Sequence, residues 1–105
     1  MNTQFKKGVL ELIVLLSVAK KDIYGYELVA QVCKIIDVNE GTIYPLLKRL
    51  TNEGYFETYL VESSEGPSRK YYRITVLGRE RSEELKQSWM AFAISVNRFI
   101  EEEQS

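Results

Sequence analysis

The side chains best suited to chemistry fall in two clusters: Thr42, Tyr44, Lys48 and Arg49 within NEGTIYPLLKRLTNEG, and Arg69 and Lys70 within RKYYRIT. Hydroxyls, a phenol and cations in this mixture hold phosphate oxygens and read base edges. Within the first stretch Ile43, Leu46, Leu47 and Leu50 recur at helical spacing, so they share one stripe of a helix. Gly41, Tyr44, Pro45, Lys48, Arg49 and Asn52 are left on the opposite side. The same composition also suits an ordinary solvated helix face, so the elements that position these residues must decide between the two uses.

Several other chemistries are excluded by composition. The chain has no histidine and one cysteine, Cys33. Neither a zinc site of Cys and His ligands nor a Ser/His/Asp or Cys/His catalytic set can be assembled from one chain, and no metal or cofactor is expected. The carboxylates Glu53, Glu57 and Glu62 follow no catalytic pattern, and there is no phosphate-cradling glycine motif, so an enzyme is not expected. One thiol and no signal-peptide pattern point to the cytoplasm. The apolar run Val9 to Ala19 is eleven residues long, against about twenty for a membrane span.

The formal net charge is −1, which does not by itself argue against an anionic partner. Residues 75–105 hold four Lys/Arg against six Asp/Glu, whereas residues 1–53 hold seven against six. Because salt limits the reach of a charge to about 10 Å, local clusters decide phosphate attraction. Lys48 with Arg49, and Arg69, Lys70 and Arg73, are such clusters.

A chain of 105 residues supports one compact unit. Lys6 to Ala19 is expected as a first helix, apolar around most of its circumference and so covered on more than one side. Tyr24 to Ile36 is expected as a second, with Leu28, Val29, Val32, Ile35 and Ile36 inward and Cys33 beside them as a small core hydrophobe. The third should start near Gly41 or Thr42, capped by Asn39 or Thr42, which would put Pro45 in its first turn. Tyr55 to Glu62 and Arg69 to Thr75 are β-prone, and the polar connection from Ser63 to Ser68 makes them a hairpin.

From Val76 onward a single long helix is expected, capped by Thr75. Leu85, Trp89, Phe92, Val96 and Phe99 step by four, three, four and three, the spacing of a helix-to-helix seam. A helix of roughly thirty residues reaches about 45 Å, more than a domain this small can cover. Self-association covers it more simply than a tail folded back on its own domain.

Three helices, a two-stranded hairpin and a long final helix make a mainly α chain of the winged helix-turn-helix kind, with residues 1–75 as the DNA-binding part and 76–105 as a dimerisation helix. KKGVLELIVLLSVAKKDIYGYEL, GTIYPLLKRLTNEGYF and GPSRKYYRITVLGRERSEEL, in this order, resemble the PadR family of bacterial transcriptional regulators over almost the whole chain. The resemblance implies a homodimer joined through its first and last helices, in the smaller of the family's two architectures. It places Thr42, Tyr44, Lys48 and Arg49 on a DNA-reading helix and Arg69 and Lys70 on a wing, facing double-stranded DNA at a roughly palindromic operator. Tyr71 and Tyr72 fit the family pattern with either a structural or a DNA-contacting role.

In some small members a tryptophan near Trp89 lines an apolar pocket at the dimer centre and stacks on planar aromatic compounds. Here Trp89, with Leu85, Phe92 and Val96, can serve either as such an effector site or as the anchor of the dimer seam. The expected function is a homodimeric, cytoplasmic repressor answering a small aromatic or hydrophobic effector. The alternative is a winged helix used as a protein-interaction module.

Overall fold

The computed structural model describes residues 3–104, and the side chains of residues 8–103. In chain order the elements are α1 (Thr3–Lys20), β1 (Ile23–Tyr24), α2 (Gly25–Ile35), α3 (Glu40–Asn52), β2 (Phe56–Ser63), β3 (Gly66–Ile74) and α4 (Val76–Gln104). Leu10, Val14, Leu15 and Val18 of α1 are fully buried with Leu28 and Val32 of α2 and Ile43, Leu47 and Leu50 of α3. Their i, i+4 spacing on each helix turns one stripe toward a shared core. Leu12 is also buried, on another side of α1 that faces α4.

The expected hairpin is the larger part of a three-stranded antiparallel sheet in the order β1-β3-β2. The two residues of β1 pair Ile23 with Tyr72 and Tyr24 with Tyr71. The connection between β2 and β3 is tighter than the expected Ser63 to Ser68 loop, since Ser63 pairs with Gly66 and only Ser64 and Glu65 lie between them. No residue of this turn has positive φ. It is therefore not one of the mirror-image turns that match strand twist, and the irregularity between Val61 and Ser63 absorbs the mismatch.

The third helix starts earlier than expected. Asn39 occupies the cap position without a side-chain hydrogen bond, and Pro45 lies inside the helix, as its sixth residue. Pro45 cannot return a hydrogen bond to the Gly41 carbonyl. Two further expectations fail on α2: Ile35 is 62% exposed and Cys33 is exposed, its Sγ donating to the Val38 carbonyl at 3.3 Å. Both lie roughly a quarter-turn from the buried line of Leu28, Val29 and Val32, one on each side.

The exit from α3 is fixed by Gly54, whose φ of 87° is the only positive value among the described residues. The Tyr55 amide donates to the Leu50 carbonyl at 3.0 Å and the Gly54 amide to that of Thr51 at 3.0 Å. This paired closure satisfies the last helical carbonyls and sends the chain straight into β2. Thr75 joins that exit to the start of α4. Its hydroxyl donates to the Gly54 carbonyl at 2.6 Å and lies 3.1 Å from that of Tyr55, while its Oγ1 accepts from the Gly78 amide at 3.0 Å. The expected cap on α4 is thus present, and it also clamps the end of α3. A Cβ at Gly78 would run into the Tyr55 carbonyl oxygen and lie 2.8 Å from Ile74 Cδ1, so only glycine fits.

Candidate nucleic-acid interface

Helical geometry divides α3 into a core side and an outward side. With Ile43, Leu47 and Leu50 fully buried, the line opposite them runs through Gly41, Pro45, Lys48 and Asn52, with Tyr44 on one flank and Thr42 and Arg49 on the other. Thr42, Tyr44, Lys48 and Arg49 are all exposed. Lys48 makes no ion pair with any described residue. Burial and the neighbouring Glu40 carboxylate, with smaller contributions from Tyr26 and Tyr24, push the Tyr44 phenol above its usual value. It therefore stays a neutral hydrogen-bond donor at any physiological pH.

Arg49 is held differently. One guanidinium nitrogen donates to both Glu53 carboxylate oxygens, at 3.0 and 3.1 Å, and the other reaches Glu11 of α1 at 3.4 Å. Hydrogen bonding to Glu53 comes first among the causes that raise its pKa. Its charge is spent within the protein, and of the adjacent cations Lys48 and Arg49 only Lys48 projects unpaired from the helix.

Strand alternation separates Arg69 from Lys70. Ile23, Phe56, Tyr72 and Ile74 point into the core, and Lys70 shares their face, its Nζ 5.7 Å from the Tyr72 ring centre. Tyr72 is pushed up by burial and then by Tyr44, which places the α3 phenol nearby. On the outer face Tyr24, Tyr71 and Tyr59 form a row across the three strands, with ring centres 5.9 and 5.6 Å apart, and Tyr26 extends it 6.3 Å beyond Tyr24. Arg69 lies 5.2 Å over Tyr24 and Arg73 4.7 Å over Tyr59.

Arg73 also pairs with Asp22 at 3.1 Å, and the Tyr59 hydroxyl donates to the same carboxylate at 2.8 Å. This neutralises Arg73, the third member of the basic cluster seen in the sequence, and leaves Arg69 as the outer-face cation on the wing without an ion pair among the described residues. The tyrosine row was missed from the sequence. The period-two alternation of RKYYRIT, which puts Arg69, Tyr71 and Arg73 on one face, is the signal that could have found its β3 part.

The aromatic residues of α4 lie elsewhere. Trp89 and Phe92, with ring centres 6.2 Å apart, line an open apolar groove of about 330 Å³ with Leu85 and Ser88 of α4 and Gly8, Val9 and Leu12 of α1. Leu85 also packs partly buried against the core. Val96 lies outside the groove, and from Trp89 onward the apolar side of α4 is exposed, including Phe92 at 54%, Phe99 at 64% and Ile100 at 44%.

A third helix with a cationic outward face, a hairpin beside it and a long final helix define a winged helix-turn-helix of the kind found in DNA-binding transcriptional regulators. The family model of the PadR-like transcriptional regulators matches residues 14–84. A PadR-like transcriptional regulator from Bacillus cereus is 45% identical, with 93% of this chain and 97% of that one covered and a TM-score of 0.83. A Streptococcus transcriptional regulator is 37% identical, covering 93% and 98% with a TM-score of 0.83. An uncharacterised protein from Lysinibacillus sphaericus is 33% identical over 99 residues, 90% of this chain and 91% of its own.

The chain belongs to the PadR-like family and is a transcriptional regulator, not an enzyme. Among the described residues no helix is long and apolar enough to cross a membrane.

Proposed function

We propose that the protein is a cytoplasmic repressor that binds a roughly palindromic operator as a homodimer, with α3 of each subunit in a major groove and the wing on the flanking backbone. The observation that carries this reading is the outward face of α3, where Tyr44 and Lys48 stand exposed over a buried Ile43–Leu47–Leu50 stripe. Lys48, Arg69 and Lys70 supply phosphate contacts, while Thr42 and Tyr44 meet base edges. Dimerisation is supported by the apolar side of α4, on which Phe92, Phe99 and Ile100 stand exposed. In such a dimer the recognition helices would enter successive major grooves one DNA turn, about 34 Å, apart.

The groove beside Trp89 suits a planar aromatic effector, which would act by binding one dimer geometry better than another. Fluorescence anisotropy on the DNA just upstream of the protein's own gene, at several salt concentrations beside a scrambled fragment, tests the reading. Tight saturable binding to the first with weak, steeply salt-dependent binding to the second is expected. Indifference to DNA at every salt concentration would point to a protein-interaction module. Quenching of Trp89 fluorescence by planar phenolic acids or aromatic drugs would support the effector role, and unchanged fluorescence would refute it for those compounds.

A further inference from the structure

Glu11 lies on α1 between the two helices whose relation matters most. One carboxylate oxygen faces Arg49 of α3 at 3.4 Å, and the other faces Arg81 of α4 at 3.7 Å. The Glu11 side chain is only 16% exposed. Arg81 also approaches Glu84 at 3.8 Å, and its Nε is buried without a hydrogen bond among the described residues. Packing makes this bridge more than one surface ion pair among several. Among the helices, α1 packs most extensively on α4. Between α1 and α3, by contrast, lies a hollow of about 280 Å³ lined by Leu10, Thr42, Pro45, Leu46 and Arg49. The Arg49–Glu11 pair spans the region of that hollow and ties the recognition helix to the α1–α4 unit.

We propose that Glu11 is a positioning residue for operator recognition: its carboxylate, shared between Arg49 and Arg81, fixes the recognition helix relative to the helix that sets the spacing of the dimer. The proposal rests on the DNA-binding reading above. In it Arg49 serves as a strut and not as a base reader. With Arg49 48% and Arg81 36% exposed, solvent screens the shared pair, and its contribution to overall stability is modest. Loss of Glu11 therefore leaves a folded protein whose recognition helix samples more orientations, and the effect falls on specificity. Phosphate contacts tolerate such wobble better than base contacts do.

The test uses the full chain and two duplexes: the sequence that the wild-type protein enriches from a random pool, and a scrambled version of it. Glu11→Gln is expected to lower the ratio of the two affinities roughly threefold to tenfold, with the salt slope on scrambled DNA unchanged. Arg81→Gln, on a helix away from the DNA-facing surface, should lower the ratio in the same direction. The doubles Glu11→Gln/Arg81→Gln and Glu11→Gln/Arg49→Gln should be little worse than Glu11→Gln alone, because each removes parts of one unit.

Circular dichroism and sedimentation, run alongside, separate loss of fold or dimer from loss of positioning. An unchanged ratio, an equal change on both duplexes, or an Arg49→Gln variant far worse than Glu11→Gln would overturn the proposal, the last by showing Arg49 to be a reader. A wild-type protein that enriches no sequence would instead overturn the DNA-binding reading itself.

Discussion

Lys48 and Arg49 are adjacent cations on one helix, and the structure assigns them different electrostatic roles. Lys48 makes no ion pair with any described residue, whereas Arg49 is tied to Glu53 and Glu11. In counterion-release terms each phosphate contact adds about 0.9 to the slope of log K against log salt. Lys48→Ala removes one such contact per subunit, so the slope for a two-fold dimer should fall by about 1.8. Over a fourfold rise in salt, wild-type affinity would then drop about twelvefold more than that of the variant. Arg49→Gln should leave the slope nearly untouched, because its charge is already compensated within the protein. Anisotropy titrations on one scrambled duplex at four or more salt concentrations measure both slopes. Equal slope changes for the two variants, or none for Lys48→Ala, would refute the assignment of the phosphate-contacting charge on α3.

Three further outcomes are expected. Gly78→Ala drives a methyl group into the Tyr55 carbonyl and Ile74, and urea denaturation should show a loss of about 1–3 kcal/mol. Tyr44, Tyr59 and Tyr72, three of the seven tyrosines, have raised pKa values, with burial the first cause for Tyr44 and Tyr72 and the hydrogen bond to Asp22 for Tyr59. The folded state therefore holds these protons more tightly than the unfolded one. The stability that these tyrosines contribute should be constant below about pH 10 and fall as pH rises beyond it, and tyrosinate absorbance should show native groups titrating later than those of the urea-unfolded chain. Phe92 is 54% exposed, so a seam that covers it gains about 1 kcal/mol per ring. Phe92→Ala should then weaken the dimer roughly thirtyfold by sedimentation equilibrium.

The long elements were legible in the sequence because their periodicity is local. The Ile43–Leu47–Leu50 stripe, the Thr75 cap and the unbroken run of α4 each depend on residues within a turn or two. What could not be read depends on partners distant in the chain. The two-residue strand Ile23–Tyr24 is too short to show alternation and exists because Tyr71 and Tyr72 pair with it. Arg49 differs from Lys48 first through Glu53, an i, i+4 partner that helical spacing could have shown, and only then through Glu11, 38 residues away, which the sequence could not show. Arg73 likewise loses its free charge to Asp22, 51 residues away.

Ile35 and Cys33 were misplaced for a different reason. Near a helix C-terminus with a single buried stripe, a quarter-turn decides between core and solvent. Pro45 lies one or two residues deeper than expected because the helix begins at Glu40.

The hydroxyl of Thr75 meets the backbone at the end of α3 and at the start of α4, and this gives the molecule the mechanics of a lever. The 29 residues of α4 extend about 43 Å from that fulcrum. A tilt of roughly 5° there displaces the far end by about 4 Å, close to the 3.4 Å rise of one base-pair step, about the smallest unit in which a DNA site can be mis-spaced. In the proposed dimer, angular stiffness at Thr75, together with the packing of α1 on α4, would then bear on register over tens of ångströms, and a disturbance too small to unfold anything could still shift the proposed reading helix by about a base pair.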